Sequence, residues 1–212
     1  MQVKLIHRTP KAEKLIAYCA RASSDNQNNK NIEKLLQYCI NHEHWSIFEM
    51  ASMCVEITTS RAIAAQILRH KSFSFQEFSQ RYASVQRAEH TVPRKQAEKN
   101  RQSSIEFTDK KELLNCSTIL DESVRRSFAD YEDLLKLGVA KECARMVLPL
   151  AAQTKMYMHG TVRSWIHYLK LRTKEDTQLE HREIAFAIKK LFKKSFPIIY
   201  NALFYSQTYG EL

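Results

Sequence analysis

Residues 46–69 have the sequence SIFEMASMCVEITTSRAIAAQILR and carry the clearest secondary-structure signals of the chain. Residues 46–59 form a long run rich in apolar and β-branched side chains, which predicts a strand. Ser60 follows this run, and a serine directly before a helical apolar pattern predicts an N-cap for a helix that extends to about Arg69. The chain is therefore expected to combine helices with a sheet.

The remaining segments add elements of both kinds on either side of this stretch. Further strands are predicted at residues 3–6 and 151–160. Helices are predicted at residues 11–20, 31–41, 119–137 and 140–147, at 162–171 behind a Thr161 cap, at 177–194 behind a Thr177–Glu180 capping box, and at 197–205. Residues 70–84 are interpreted as an ordered loop and residues 91–111 as an irregular excursion. There are no internal repeats and no linker, so residues 1–212 are expected to form a single domain.

Composition limits the classes of protein to consider. Three Gly and four Pro among 212 residues predict a helix-rich chain and leave no glycine-rich phosphate loop. The net charge of +10 indicates anionic partners, either nucleic acid bound nonspecifically or phosphorylated ligands in a pocket. Five cysteines without a CxxC pair indicate reduced thiols, and neither a signal peptide nor a transmembrane run is present, so a cytoplasmic protein without a membrane partner is expected.

The most informative motif is RHKSFSFQEFSQRY at residues 69–82. Three basic side chains open it, and Glu77, Ser79 and Arg81 then alternate. In an extended segment these three would point to one side and form a clamp for a nucleotide, with the guanidinium on a phosphate. A solvated loop is the alternative.

Other polar residues have simpler interpretations. Arg145 could close a helix C-terminus, and Arg163 could be an exposed helix residue. His42, Glu43 and His44 lack the HExxH spacing, so no metal site is predicted.

Four ordered segments resemble the flavin-dependent thymidylate synthases. The motif at residues 69–82 is similar to their RHRxxSxxxxSxRY signature, with Lys71 in place of the third residue. Residues 44–50 (HWSIFEM) resemble HxSxxEH with Met50 for the last His, and residues 142–149 (ECARMVLP) resemble ExARxxLP. Residues 163–172 (RSWIHYLKLR) with 178–180 (QLE) resemble RxxxxFxxLR followed by QxE.

This resemblance implies a fold and a reaction. The fold is α+β, a single domain of helices packed with a small, mainly antiparallel sheet. The reaction is the reductive methylation of dUMP to dTMP by a methyltransferase that uses FAD, with NADPH and methylenetetrahydrofolate as co-substrates and no covalent enzyme nucleophile. None of the five cysteines has a Pro before it or a His after it, which agrees with the flavin route. The resemblance also implies a cytoplasmic homotetramer with shared active sites, in a bacterium or in the host cell of a virus.

The resemblance further implies site residues, with Arg172 as the catalytic group that polarises the uracil. The expected dUMP contacts are Gln66, Arg69, Glu77, Ser79, Gln80, Arg81, Arg145 and Arg172. The expected FAD contacts are His44, Ser46, Arg69, His70, Lys71, Glu77, Thr161, Arg163 and His167. Thr161 and His167 stand where Asn is common in the family.

Spacing adds one geometric expectation. Arg172 lies nine positions after Arg163, so on one regular helix the two point about 180° apart. Either the helix ends before Arg172, or the two arginines serve different pockets, as in a site assembled from several subunits.

Two alternatives remain. A basic nucleic-acid-binding protein could stack bases on Phe73, Phe75, Phe78 and Tyr82. A flavoprotein relic without synthase activity is suggested by Met50, Lys71, Thr161 and His167.

Overall fold

The structure is a computed structural model that describes residues 1–205. The expected single domain over residues 1–212 extends to residues 206–212, which lie outside the described residues. The elements are β1 (Gln2–Arg8), α1 (Ala12–Ala20), α2 (Glu33–Asn41), a 3₁₀ helix (Trp45–Met50), β2 (Ser52–Ser60), α3 (Arg61–Ile67), β3 (Ser74–Glu77), β4 (Lys95–Gln96), β5 (Ser104–Ile105), α4 (Lys110–Lys136), α5 (Lys141–Ala144), a second 3₁₀ helix (Arg145–Val147), β6 (Gln153–Thr161), α6 (Val162–Arg172), α7 (Leu179–Ser195) and α8 (Pro197–Phe204).

Within residues 1–205, four antiparallel strands form a sheet in the order β1-β2-β6-β3, and β4 pairs with β5 in a separate hairpin. β2 and β6 pair along their whole length, from Ser52 opposite Thr161 to Ser60 opposite Gln153. One face of these two strands is buried, and the intervening residues of β2 are only partly buried. The α+β prediction with a small antiparallel sheet is confirmed.

Helix α6 packs against β6 and α7 against β1, α8 packs against α2 and α7, and large aromatic side chains fill the core. Trp165 is fully buried, and its Nε1 donates to the Met53 carbonyl at 3.0 Å, which ties α6 to β2. Phe73 lies against β6 at Gly160, where a Cβ would be 2.5 Å from its ring. The turn that follows α3 is therefore held close to the sheet and to α6.

Both strand-to-helix junctions are capped as the sequence predicts. The Ser60 hydroxyl accepts from the Ile63 amide at 3.4 Å, and the Thr161 hydroxyl accepts from the Ser164 amide at 3.3 Å. Because β2 and β6 are antiparallel, α3 and α6 start at opposite ends of the sheet. No helix within the described range is long and apolar enough to cross a membrane.

Two predicted segments need correction on the N-terminal side of the fold. The strand predicted over residues 46–59 begins only at Ser52, because Trp45–Met50 forms a 3₁₀ helix. Trp45 and Phe48 are three residues apart, which is one 3₁₀ turn, and Phe48 is buried. The loop predicted over residues 70–84 contains β3, whose pairing with β6 was not visible in the local sequence.

Three further predictions need correction on the C-terminal side. Helix α4 begins at Lys110 rather than near residue 119, because the Asp109 carboxylate caps it by accepting from the Lys111 amide at 2.7 Å. The helix predicted over residues 140–147 is split into α5 and a 3₁₀ helix. The Thr177–Glu180 capping box is absent: α7 begins after Gln178, and the Glu180 carboxylate is paired with Arg94 instead.

Candidate active site

The site residues predicted from sequence lie in three groups. The Arg172 group consists of Gln66, Arg69, His70, Lys71 and Arg172; the Glu77 group of Glu77, Ser79, Gln80, Arg81 and Arg145; and the Arg163 group of His44, Ser46, Thr161, Arg163 and His167. Across residues 1–205, no side-chain hydrogen bond or ion pair joins one group to another. The side-chain hydrogen bonds and ion pairs of the described chain therefore lie within the groups or run to other residues, and none connects two groups.

The centre of the Arg172 group is a contact between two basic side chains. Arg172 Nε donates to His70 Nε2 at 2.9 Å. Arginine remains protonated, so this His70 nitrogen must be the acceptor. Burial, followed by the charges of Arg172 and Arg69, lowers the pKa of His70 to about 4. His70 is therefore neutral at physiological pH, with its N–H at Nδ1 available as a donor.

Two exposed cations flank this pair. Arg69 and Lys71 lie in the turn that follows α3, and neither side chain has a hydrogen bond or an ion pair within residues 1–205. Unpaired cations beside a neutral N–H donor form a set of groups that suits the phosphates of a nucleotide or of a dinucleotide cofactor.

The Glu77 group is built around Arg61, the first residue of α3. The Glu77 carboxylate accepts from Arg61 Nη1 and, at 2.9 Å, from the Thr154 hydroxyl, while Arg61 Nη2 donates to Gln80 Oε1 at 3.1 Å. Glu77 is thereby held in place as an acceptor in a partly buried position.

The interpretation of Glu77, Ser79 and Arg81 as one extended segment is wrong. β3 ends at Glu77, and residues 79–83 form a turn in which the Tyr82 amide donates to the Ser79 carbonyl at 3.2 Å. Arg81 consequently pairs with Glu142 at 3.0 Å rather than lying beside Glu77. Arg145 is next to this pair, with its Nε donating to the Glu142 carbonyl at 3.3 Å.

The Arg163 group lies between α6 and the 3₁₀ helix Trp45–Met50. Arg163 Nη1 donates to Glu49 at 3.1 Å, and the His167 ring centroid is 5.2 Å from that of Trp45. Burial, then the charges of Arg163 and Lys170, lowers the pKa of His167. His44 and Ser46 are exposed at the start of the 3₁₀ helix, and Thr161 uses its hydroxyl as the cap of α6.

Helix α6 runs without interruption from Val162 to Arg172. The option that the helix ends before Arg172 is therefore excluded. Arg163 contacts Glu49, whereas Arg172 contacts His70, so the two arginines have different surroundings. No group of three or more His, Cys, Asp or Glu side chains that could hold a metal ion occurs in the described range.

The sequence matches the family described as thymidylate synthase complementing protein (Thy1) over residues 4–198. The chain belongs to this family. It is 53% identical over 191 residues to a flavin-dependent thymidylate synthase of Synechocystis sp., covering 90% of this chain and 89% of that protein. It is 52% identical over 198 residues to a probable flavin-dependent thymidylate synthase of Paramecium bursaria Chlorella virus 1, covering 91% and 90%.

Solved structures agree with the family fold. The chain is similar to a UMP/dUMP methylase, PolB from Streptomyces cacaoi, with a TM-score of 0.80 and 24% identity over 95% of this chain and 93% of that one. This likeness shows that the helices and strands are arranged as in that structure, which agrees with the predicted α+β fold.

The sequence patterns did not indicate three residues that hold members of the site or of the adjoining excursion in place: Arg61, Arg94 and His181. One signal was available for Arg61, since a cation in the first turn of a helix opposes the helix dipole and so indicates a specific acidic partner. Arg94 lies in the excursion at residues 91–111 and holds Glu180, at 2.8 and 3.0 Å from its two oxygens. His181 is fully buried and contacts Gln66 and Tyr168; no local pattern indicated either contact.

Proposed function

We propose that this chain is a flavin-dependent thymidylate synthase that converts dUMP to dTMP, with methylenetetrahydrofolate as carbon donor and NADPH as hydride source by way of FAD. Two relatives above 50% identity over about nine-tenths of the chain support this activity. The structural observation that carries the proposal is the Arg172–His70 contact beside the unpaired cations Arg69 and Lys71.

We infer that FAD is held by Arg69, His70 and Lys71 of one chain and by the Arg163 group, with Glu77 nearby. The chemistry that FAD supplies when bound is hydride transfer between the reduced nicotinamide and the nucleotide. Arg69 and Lys71 offer charge to the phosphates, and the neutral His70 offers the N–H at its Nδ1. These donors suit a diphosphate without requiring a glycine-rich loop.

Arg172 is proposed to polarise the uracil ring. Its Nε is engaged with His70, which orients the guanidinium and leaves the Nη groups free to donate to a uracil carbonyl. Negative charge grows on that carbonyl as C5 becomes nucleophilic, so a donor fixed in advance stabilises the transition state. Gln66, Arg69, Glu77, Ser79, Gln80, Arg81 and Arg145 are proposed to hold the rest of dUMP.

The protein is proposed to supply no covalent nucleophile. Burial raises the pKa values of Cys39 and Cys54, which disfavours their thiolates. The Ser79 hydroxyl contacts the Arg81 amide, at 3.3 Å, and no basic side chain that could activate it within residues 1–205. Cys143 is the exposed thiol closest in sequence to a proposed dUMP contact, and replacing it with Ser should leave turnover unchanged.

We further propose a homotetramer whose active sites are shared between chains. The three separately held groups of site residues support this, because residues of another chain could complete each of them into one pocket. Exposed apolar side chains on and after α4 support association, since Leu114, Leu137, Met146 and Leu150 are 65–80% exposed. The unpaired cysteines agree with a cytoplasmic location.

The nucleic-acid alternative finds little support in the positions of its aromatic residues. Phe73 is buried in the core, Phe75 packs against that core, Phe78 is partly buried, and only Tyr82 of the four is exposed, at 85%. A row of stacking rings is therefore absent from this segment. The relic alternative keeps the same fold and differs only in turnover.

The test is a flavin spectrum of the purified protein followed by anaerobic dTMP formation with dUMP, methylenetetrahydrofolate and NADPH. We expect about one FAD per chain and product only when both co-substrates are present. Flavin binding without turnover would support the relic, and neither flavin nor product would reject the proposal.

A further inference from the structure

A hydrogen-bonded row of six side chains runs from the excursion at residues 91–111 into the core. We name it the Gln66 relay, and it consists of Arg94, Glu180, Gln178, Gln66, His181 and Tyr168. The donor–acceptor distances in this order are 2.8 Å, 2.9 Å, 2.5 Å, 3.2 Å and 3.1 Å. Its members come from four segments of the chain, and its fourth member, Gln66, is one of the proposed dUMP contacts.

The protonation state of Glu180 decides which atom donates and which accepts in the next hydrogen bonds of the relay. Arg94 and Glu180 are only 13% and 15% exposed in their side chains. Burial favours the neutral acid, but hydrogen bonds from its own amide, Arg94 and Gln178 outweigh burial and lower the pKa of Glu180. An ionised carboxylate can only accept, so Gln178 must turn its Nε2 toward Glu180 and its Oε1 toward Gln66.

Because each hydrogen bond needs one donor and one acceptor, the orientation of Gln178 also decides the orientation of Gln66 and the tautomer of His181. Gln66 must present Nε2 to the Gln178 oxygen, which directs Gln66 Oε1 to His181 Nδ1. His181 therefore carries its proton on Nδ1, and its Nε2 accepts from the Tyr168 hydroxyl. Burial, then the charges of Arg172 and His70, lowers the pKa of His181 to about 3, so the ring stays neutral.

Tyr168 completes the relay with a group that the family pattern lacks. That pattern, RxxxxFxxLR, has Phe where this chain has Tyr168. Tyr168 is 1% exposed, and its hydroxyl finds its partner in His181. The buried hydroxyl and the buried imidazole satisfy each other: with the proton on Nδ1, His181 Nε2 is the acceptor that the Tyr168 O–H requires.

We propose that His181 is a positioning residue that fixes the amide of Gln66, so that Gln66 offers an N–H donor to an acceptor oxygen of the bound nucleotide. This inference rests on the proposed function. Gln66 Nε2 gives one N–H to Gln178, and its second N–H has no partner in the described chain. Gln66 is partly exposed, so this donor is accessible to a ligand that carries a carbonyl or phosphate oxygen.

The first test is the dissociation constant of dUMP for the FAD-loaded protein, with His181→Leu, His181→Asn and Gln66→Ala. Removing the imidazole should weaken dUMP binding about tenfold and raise KM with little change in kcat, because a ground-state contact is lost. Asn can place an N–H near the position of Nδ1 and should recover most of the affinity. Equal affinities for the Leu variant and the unchanged protein would overturn the proposal.

A double-variant cycle separates positioning from general structural damage. If His181 acts through Gln66, His181→Leu should have no further effect on dUMP binding in a Gln66→Ala background. Additive losses would reject the link. The same titration with deoxyuridine distinguishes the source of the acceptor: the effect persists if the oxygen belongs to the nucleoside and disappears if it belongs to the phosphate.

Neutron diffraction of the deuterated holoenzyme provides a measurement that does not depend on activity. We expect deuterium on His181 Nδ1 and none on Nε2, and the opposite tautomer would overturn the inference. If the protein has this tautomer but no turnover, the proposed function is rejected and the geometry of the relay stands. If turnover is normal and dUMP affinity is unchanged in both His181 variants, only the role of the relay is rejected.

Discussion

At the residue scale, the role proposed for Arg172 rests on one contact. Its Nε is occupied by His70, so the fork that remains is oriented before any ligand binds. Arg163, on the opposite side of the same helix, is paired with Glu49 in more exposed surroundings. Replacing either arginine with Ala should therefore affect a different property of the enzyme: turnover for Arg172 and FAD binding for Arg163.

Arg172→Ala should lower single-turnover dTMP formation by ~10²–10³, the typical cost of a lost donor to a developing oxyanion. FAD affinity should change little, and Arg172→Lys should restore only part of the rate because a point charge lacks the fork. Arg163→Ala should instead weaken FAD binding first. Flavin titration beside single-turnover kinetics checks both; normal turnover of Arg172→Ala at saturating FAD would contradict this role.

Lys71→Arg should be tolerated. The Lys71 side chain is exposed and has no ion pair within residues 1–205, so the longer guanidinium meets no structural obstacle. We expect kcat/KM to change by less than tenfold, about 1.4 kcal/mol. A larger loss would mean that the pocket depends on the ammonium geometry.

Two histidines predict how stability depends on pH. The pKa values of His70 and His181 are lowered to about 4 and about 3, against about 6.5 in an unfolded chain. Below pH ~6.5 the unfolded chain binds more protons than the folded one, so the stability that the two neutral rings contribute is complete above that pH and is lost progressively as the pH falls to about 3. Urea unfolding at pH 7 and pH 5, at one protein concentration, should show a smaller loss for His181→Asn.

The exposed substitution His7→Asn is the control for this measurement and should show the same loss between pH 7 and pH 5 as the unchanged protein. Equal losses for His181→Asn and the unchanged protein would contradict the assignment of His181 as a neutral buried ring.

At the scale of elements, the excursion at residues 91–111 has a role that its polar sequence concealed. It forms the β4–β5 hairpin, and Arg94, just before β4, holds Glu180 in the first turn of α7. Cavities of about 430 Å³ and 540 Å³ adjoin Glu180, so this contact also shapes the space beside the proposed site. This largely buried ion pair is one of the contacts that attach the excursion to the rest of the fold.

Arg94→Ala should destabilise the protein by about 1–3 kcal/mol, because Glu180 loses its charged donor in a largely buried position. Arg101→Ala, an exposed arginine of the same excursion, is the matched control and should change stability little. Urea unfolding of both variants measures the difference. Equal stability of the two variants would show that water replaces Arg94 at no cost.

At the scale of the whole molecule, the separation of the three groups of site residues requires an explanation. Arg81 and Arg145 lie with Glu142, Arg172 lies with His70, and Arg163 lies with Glu49. The proposed sharing of pockets between chains would bring these separately held residues to one nucleotide and one dinucleotide. The exposed apolar residues on and after α4 provide a surface for such contacts.

Mixed tetramers of Arg163→Ala and Arg172→Ala should regain activity, because some pockets would receive an intact Arg163 group from one chain and an intact Arg172 group from another. Mixtures of Gln66→Ala with Arg172→Ala should show no activity beyond the sum of the two variants measured alone, since both residues belong to the same group of one chain. Turnover after confirmed subunit exchange is the measurement. Activity absent from the first mixture would argue against shared sites, and a monomer in sedimentation would reject the assembly.

The sequence by itself determined the features that depend on neighbours along the chain. The caps at Ser60 and Thr161, the apolar periods of α6 and α7, and the α+β class could be predicted because periodicity and capping operate within a few residues. The ordered motifs at residues 44–50, 69–82, 142–149 and 163–180 were sufficient for the family. They named Arg172 and His70 separately but did not indicate that these two side chains touch.

Only the tertiary structure decided the partners of those residues. β3 pairs with β6, Arg61 holds Glu77, and the Gln66 relay joins residues as far apart as Gln66 and His181, 115 positions along the chain. A strand of four residues with exposed neighbours carries little local signal, and a buried polar group can be satisfied by any suitable donor that the fold brings near it. Which donor arrives depends on the packing of distant elements, and no periodicity or cap contains that information.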